Sequence, residues 1–159
     1  MELQIRQRIL VGVVATLTMD LLTALSLWLG LVAPLKPALI GRWFAAVARA
    51  EPVQADVARL PALRFEVPLA LCGHYLIGIA LAFAFLALAS RLALPARRFD
   101  VALGFGLCSN ALPWLVMFPA MGYGLFGAHG PAGTRLFVSS LIGHACYGFG
   151  LWLGARLFT

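Results

Sequence analysis

Four long apolar runs, at approximately 9–32, 68–89, 101–120 and 136–156, alternate with polar connections along the chain. Crossing a hydrocarbon core of about 30 Å takes roughly 20 helical residues, so each run is long enough to span a membrane. The pattern predicts an all-α membrane protein, with residues 1–159 forming a single domain of four transmembrane helices. A shorter amphipathic stretch lies between the first two. Within 38–50, Leu39, Ile40, Trp43, Phe44 and Val47 fall on one side of a helix and Arg42 and Arg49 on another, which reads as an interfacial helix on the membrane surface. Pro34 and Pro37 are expected to stop the first helix, and Pro68 falls in the first turn of the second span, where a proline is tolerated.

Two of the runs carry the same element. Gly73-His74-Tyr75-Leu76-Ile77-Gly78 and Gly143-His144-Ala145-Cys146-Tyr147-Gly148 both fit GHxxxG, followed at the same distance by Leu81 and Leu151. On a helix, His and the Gly four residues on lie about 40° apart, so each segment presents an imidazole beside a side-chain-free notch. A helix, a lipid or a flat cofactor would fit such a notch. The spacing suggests two tandem helix pairs, 1–95 and 96–159, related by an axis along the membrane normal.

Polar residues inside the runs mark candidate chemistry. Gly12, Thr16, Asp20 and Thr23 follow one another at steps of four, four and three, a polar stripe on one face of the first helix. An Asp at the bilayer centre costs about 2.5–3.5 kcal/mol on insertion scales, which marks it either as functional or as a protonated hydrogen-bonding link between helices. The third run holds Gly104, Gly106, Ser109, Asn110 and Pro113, a set common where membrane helices pack closely or break. Successive spans alternate direction, so at about 1.5 Å per residue His74 and His144 lie roughly 9–12 Å from one face, Asn110 about 15 Å and Asp20 about 18 Å. Asp20, His74, Asn110 and His144 therefore form a candidate intramembrane site, with Thr16, Glu66, Gly78, Gly148 and Arg135 in support. Glu66 is expected just outside the membrane, about 12 Å along the helix axis from His74. The glycine-rich, apolar segment from Met121 to Gly133 is expected to be non-helical and to cover the same end, either re-entering the membrane or lying as an interfacial loop.

Composition agrees with this reading. Hydrophobic residues make up 62% of the chain, charged residues 11%, and the mean hydropathy is +0.94, whereas about a quarter of a soluble domain is charged. The net charge of +6 is scattered over the connections without a nucleic-acid motif, so the expected partner is the lipid bilayer, with a homodimer enlarging what four helices enclose. Arg91, Arg97 and Arg98 share one short connection, which favours the cytoplasmic side for it and for both termini. Arg6 and Arg8 precede the first run as in a signal peptide, but the run's length and Asp20 indicate a retained helix. Cys72, Cys108 and Cys146 all fall within spans, as small apolar fillers and not a disulfide framework. Cys72 with His74, and His144 with Cys146, point about 200° apart on a helix, so they do not make a metal site.

Gly41-Arg42-Trp43, Glu66 eight residues before His74-Tyr75, Ile77-Gly78, Pro119-Ala120-Met121-Gly122-Tyr123-Gly124, and His144 with Gly148, Gly150 and Leu151 together resemble the bacterial family called domain of unknown function 2938. The resemblance covers nearly the whole chain and implies a small polytopic protein of the bacterial inner membrane. The chain departs from the family pattern at Ala128-His129-Gly130-Pro131 and lacks a His shortly after Gly41-Arg42-Trp43. Transport of a small molecule, ion or lipid through the polar site is the first functional expectation. The alternatives are a structural or accessory subunit, a haem b protein with His74 and His144 as axial ligands, and an enzyme using Glu66 and a histidine as acid and base. No nucleophile motif or metal signature supports the enzyme reading.

Overall fold

The computed structural model describes residues 2–33 and 35–159, and its regular elements are all helical among the described residues. They are α1 (Glu2–Trp28), α2 (Pro37–Ala48), α3 (Glu66–Arg91), α4, which begins as Phe99–Ser109 and continues through a π turn at Pro113–Met117 to Ala120, and α5 (Thr134–Phe158). Gln4–Trp28, Glu66–Arg91, Phe99–Ala120 and Thr134–Phe158 are each long and apolar enough to cross a bilayer. The protein is a multi-pass membrane protein of four spans, with the short helix α2 between the first two.

The prolines do not stop α1. Gly30, at φ 73°, donates its N–H to Leu27 O at 3.0 Å, and Leu31 N reaches back to Ser26 O at 2.9 Å, a Schellman closure that satisfies the last carbonyls. Pro37 opens α2 as its first residue, where a missing N–H leaves nothing unpaired, and Pro34 lies outside the described residues. The same closure ends α2 at Ala50 (φ 62°) and α3 at Ala93 (φ 51°), without glycine. In α4, Pro113 has no N–H for Ser109 O, and the chain widens into the π turn, where Phe118 N donates to Pro113 O.

Across the bundle the spans lie in the order α3, α1, α5, α4. The α1–α5 interface is the most extensive, and it is made of backbone against backbone. Gly154 faces Val11, Gly150 faces Ala15 and Thr18, and Gly143 faces the end of Met19. Gly150 and Gly154 form a small-xxx-small pair, which lets two helices approach more closely than any larger residue would. The α4–α5 contact is equally close where Gly106 meets Gly148. By contrast, α3 and α4 follow one another in sequence but meet in a small patch that includes Phe85 and Phe105, with ring centroids 5.3 Å apart. An axis relating two tandem helix pairs would carry the α1–α5 contact onto α4–α3. The two differ greatly in extent, so the packing departs from the symmetry that the repeated histidine element suggests.

A side chain at Gly150 should break the central interface, since its Cβ would stand 2.7 Å from Ala15 Cα. Gly150→Val is expected to destabilise the bundle by about 1–3 kcal/mol in detergent unfolding. Gly104, with nothing within 4 Å of an added Cβ, is the control, and Gly104→Ala should be neutral or stabilising by up to about 1 kcal/mol.

Candidate functional site

The polar stripe of α1 meets α3 at two levels. Thr16, fully buried, bonds its hydroxyl to Gly12 O at 2.9 Å and occupies the notch of Gly78, where a Cβ would collide with Thr16 Oγ1. From α5, Tyr147 OH donates to Gly78 O at 2.6 Å. One turn further along α1, Asp20 Oδ1 lies 2.9 Å from His74 Nε2, and Tyr75 OH donates to Asp20 Oδ2 at 3.0 Å. Both carboxyl oxygens are thus engaged. One proton serves the Asp20–His74 contact in either direction, as Nε2–H towards a carboxylate or as Oδ1–H towards a neutral imidazole.

A second polar group joins α4 to α5. Ser109 Oγ lies 2.8 Å from His144 Nδ1 and donates to Gly106 O at 2.6 Å. A serine hydroxyl has one hydrogen, so with that hydrogen directed to Gly106 O the Ser109 oxygen accepts from His144 Nδ1. One turn away, Ser140 Oγ donates to Asn110 Oδ1 at 2.5 Å. Asn110 is fully buried, and its Nδ2 has no partner among the described residues, like the nearby Trp114 Nε1 and the Thr23 hydroxyl.

His74 and His144 line one crevice of about 70 Å³ together with Thr16, Met19, Gly78 and Tyr147. That space suits a few water molecules. It falls well short of the roughly 300–1,000 Å³ of small-molecule pockets. Asp20 adjoins the crevice through His74, whereas Asn110 belongs to a separate pair a turn away. Tyr75, Ser109 and Ser140 complete these contacts, and none of the three was placed in the candidate site from the pattern. Ser140 stands four residues before His144, a same-face spacing that would have marked it. Tyr75 is 100° round the helix from His74, and it reaches the group because Asp20 sits between them.

Several expectations are corrected here. The notches of Gly78 and Gly148 are filled by helices: a Cβ on Gly148 would lie 2.9 Å from Leu103 Cα, and Gly78 receives Thr16, so neither leaves room for a porphyrin. Glu66 opens α3 eight residues before His74, and its carboxylate is turned to α2. It pairs with Arg42, with Nε to Oε2 at 2.7 Å and Nη2 to Oε1 at 3.3 Å, while Arg42 Nη1 reaches Leu60 O at 3.2 Å and Leu63 N donates to Glu66 Oε2 at 3.0 Å. Arg42 is therefore turned into the protein and not out to solvent, because this fork lies on the side of α2 that packs on α3. The hydrogen bond to Glu66 raises the Arg42 pKa above its ordinary value, against partial desolvation. Gly41 sits directly on the Glu66 backbone, and the Phe44 ring fills the space over Gly73. Arg135 is also remote from the histidines, donating to Gly30 O at 3.4 Å beside the Ala33 N to Ser139 Oγ bond of 2.7 Å. Cys72 and Cys108 are exposed on the outside of the bundle and fill no core.

Met121 to Gly133 is irregular apart from a 3-10 turn at Leu125–Gly127 and lies at the end of the bundle where α3 begins with Glu66. Its start pairs with the chain after α2, with Gln54 N to Ala120 O at 2.8 Å and Val57 N to Met121 O at 3.1 Å. Gly122, at φ 86°, lies so close to Ala55 O that no Cβ would fit.

Four spans, an interfacial helix clasped to them and paired polar side chains between neighbouring spans define a multi-pass integral membrane protein. The family described as "Protein of unknown function (DUF2938)" matches residues 9–158, and the chain belongs to it. No curated protein and no solved structure matches the chain.

The Arg42–Glu66 fork gathers α2, the 51–65 connection and α3 at one point. Glu66→Gln is expected to speed amide hydrogen exchange at Leu63 and in the first turn of α3, with protection in α1 and α5 unchanged. Equal exchange in both proteins would show that the ion pair contributes little to holding this end together.

Proposed function

We propose that this protein moves protons, alone or coupled to a small ion, through the polar layer at its centre, with Asp20 and His74 as the groups that take up and release the proton. The observation that carries this reading is the contact of Asp20, His74 and Tyr75 within the spans, next to a water-sized crevice that also holds His144. Ionisable residues at membrane depth are expensive, and those retained there commonly mark ion pathways and proton relays. The crevice favours protons and water over a bulky cargo. Asn110, with Nδ2 free to bond, and the Ser109–His144 pair extend the polar layer into α4. Thr16, Gly78 and Gly148 support it by fixing the helix spacing, and Glu66 and Arg135 act outside it, at the bundle end. On this reading residues 1–159 work as one domain in a bacterial inner membrane, with both termini on the cytoplasmic side as the arginines of the 91–98 connection favour.

The working unit is proposed to be a homodimer. The side chains of Asp20 and His74 are 38% and 33% exposed, yet lipid tails offer them no hydrogen bonds. A second copy laid against α1 and α3 would cover them.

Reconstituted liposomes with an internal pH dye and an imposed potential test the proposal. The wild type should carry proton current above protein-free liposomes, and Asp20→Asn and His74→Gln should reduce it to that background while remaining folded. Wild-type flux in Asp20→Asn would sink the reading, and so would a wild type that conducts nothing, which would leave the histidines as helix-to-helix links in an accessory subunit. Subunit counting in sparse vesicles should return two copies, and a monomer retaining full flux would remove the dimer.

A further inference from the structure

A second cavity lies outside the polar layer. Between the 51–60 connection and the segment after Ala120 there is a pocket of about 430 Å³, lined by Leu39, Asp56, Arg59, Tyr123, His129 and Pro131 among others. Its volume is within the range of small-molecule sites. Its walls are fixed by backbone bonds: Gln54 and Val57 donate to Ala120 and Met121, and His129 N donates to Tyr123 O at 2.8 Å. Behind them Val57 and Met121 are fully buried in an apolar cluster.

The chemistry of the lining is mixed in sign. Asp56 caps the 3-10 turn at Val57–Arg59 through Oδ1, with Ala58 N at 2.9 Å, and its Oδ2 lies 3.4 Å from Arg59 Nε. Arg59 is 87% exposed and, among the described residues, held by that loose surface pair alone, so its guanidinium is free to swing to a ligand. Tyr123 is 4% exposed, and its hydroxyl, also buried, has no hydrogen-bond partner among the described residues. Native proteins rarely leave such a group unpaired. Burial, and secondarily the charge of Asp56, raise the pKa of this phenol, which keeps it a donor.

We propose that this pocket binds the zwitterionic headgroup of an ethanolamine phospholipid, the ammonium at Asp56 and the phosphate at Arg59 and His129. Charge complementarity selects that class. A carboxylate and a guanidinium side by side match a ligand carrying both signs, whereas a purely anionic headgroup would meet Asp56 with repulsion. The pocket lies at the end of the bundle, beside the interfacial helix α2, where Leu39 and Pro131 offer apolar surface to the start of the acyl chains.

The test uses the full chain in detergent, titrated with short-chain phosphatidylethanolamine, short-chain phosphatidylglycerol and free phosphoethanolamine, reading affinity and the rise in Tm. Phosphatidylethanolamine should bind best. Asp56→Asn, which keeps an N-capping side chain, and Arg59→Gln should each weaken it about tenfold, the loss of one charge-assisted contact. Arg64→Gln, an exposed arginine outside the pocket, should bind as the wild type does. Equal binding of the two lipids, or wild-type affinity in both Asp56→Asn and Arg59→Gln, would overturn the proposal. Free phosphoethanolamine binding as tightly as the lipid would overturn its lipid source and assign the pocket to a soluble phosphate ester.

Discussion

The bundle depends on the absence of one side chain, at Gly78. Because α3 has no Cβ there, Thr16 of α1 enters the notch and Tyr147 of α5 reaches the Gly78 carbonyl, so three helices meet within one turn. In lipid there is no hydrophobic force between helices, and association relies on close van der Waals packing and on hydrogen bonds across the interface. The Gly78 junction supplies both. It also sets the register that carries Asp20 to His74, since the two contacts lie one turn apart on α1. The polar layer is thus a consequence of how the helices lock, and a change in that register would separate the Asp20–His74 pair.

The motifs that carry the family likeness acquire distinct physical roles. Gly41 and Arg42 belong to the clasp on Glu66, where glycine admits the α3 backbone and arginine forks onto the carboxylate. Trp43 bonds to Pro52 O at 2.8 Å and so holds the connection that follows. Gly122 gives the backbone a positive φ and a close approach to Ala55. These residues build the bundle end that α2 covers, while the histidine elements build its centre. A family likeness spread over both regions therefore reflects shared architecture as much as shared chemistry.

The number of spans, their limits to within a few residues and the short helix between the first two were legible from hydrophobic run length, because twenty apolar residues in a row have few other fates. The irregular segment after Ala120 was legible from its glycines. Partnerships were not. Glu66 was read against His74 because both lie on α3, but an acid is taken by the nearest well-shaped cation, and Arg42 approaches from another helix. The histidine notches left a helix, a lipid or a flat cofactor as occupants, and which of them a glycine admits depends on what packs against it, which no single-helix pattern contains. The end of α1 was assigned to prolines, whereas Gly30 closes the helix several residues earlier through its left-handed conformation. The Gly150–Gly154 pair was the available signal for the largest interface.

The order of the spans across the bundle bears on how the molecule is made. The helix α1 has its most extensive interface with α5, and α2, α3 and α4 lie between the two in sequence. During synthesis the Val11–Ala15 face of α1 must therefore wait beside α3 in the bilayer until α5 arrives, and α4 has no settled neighbour until then. Lateral closure of the four spans is deferred to the insertion of α5, so a chain stalled before it would present unsatisfied helix surfaces to the membrane.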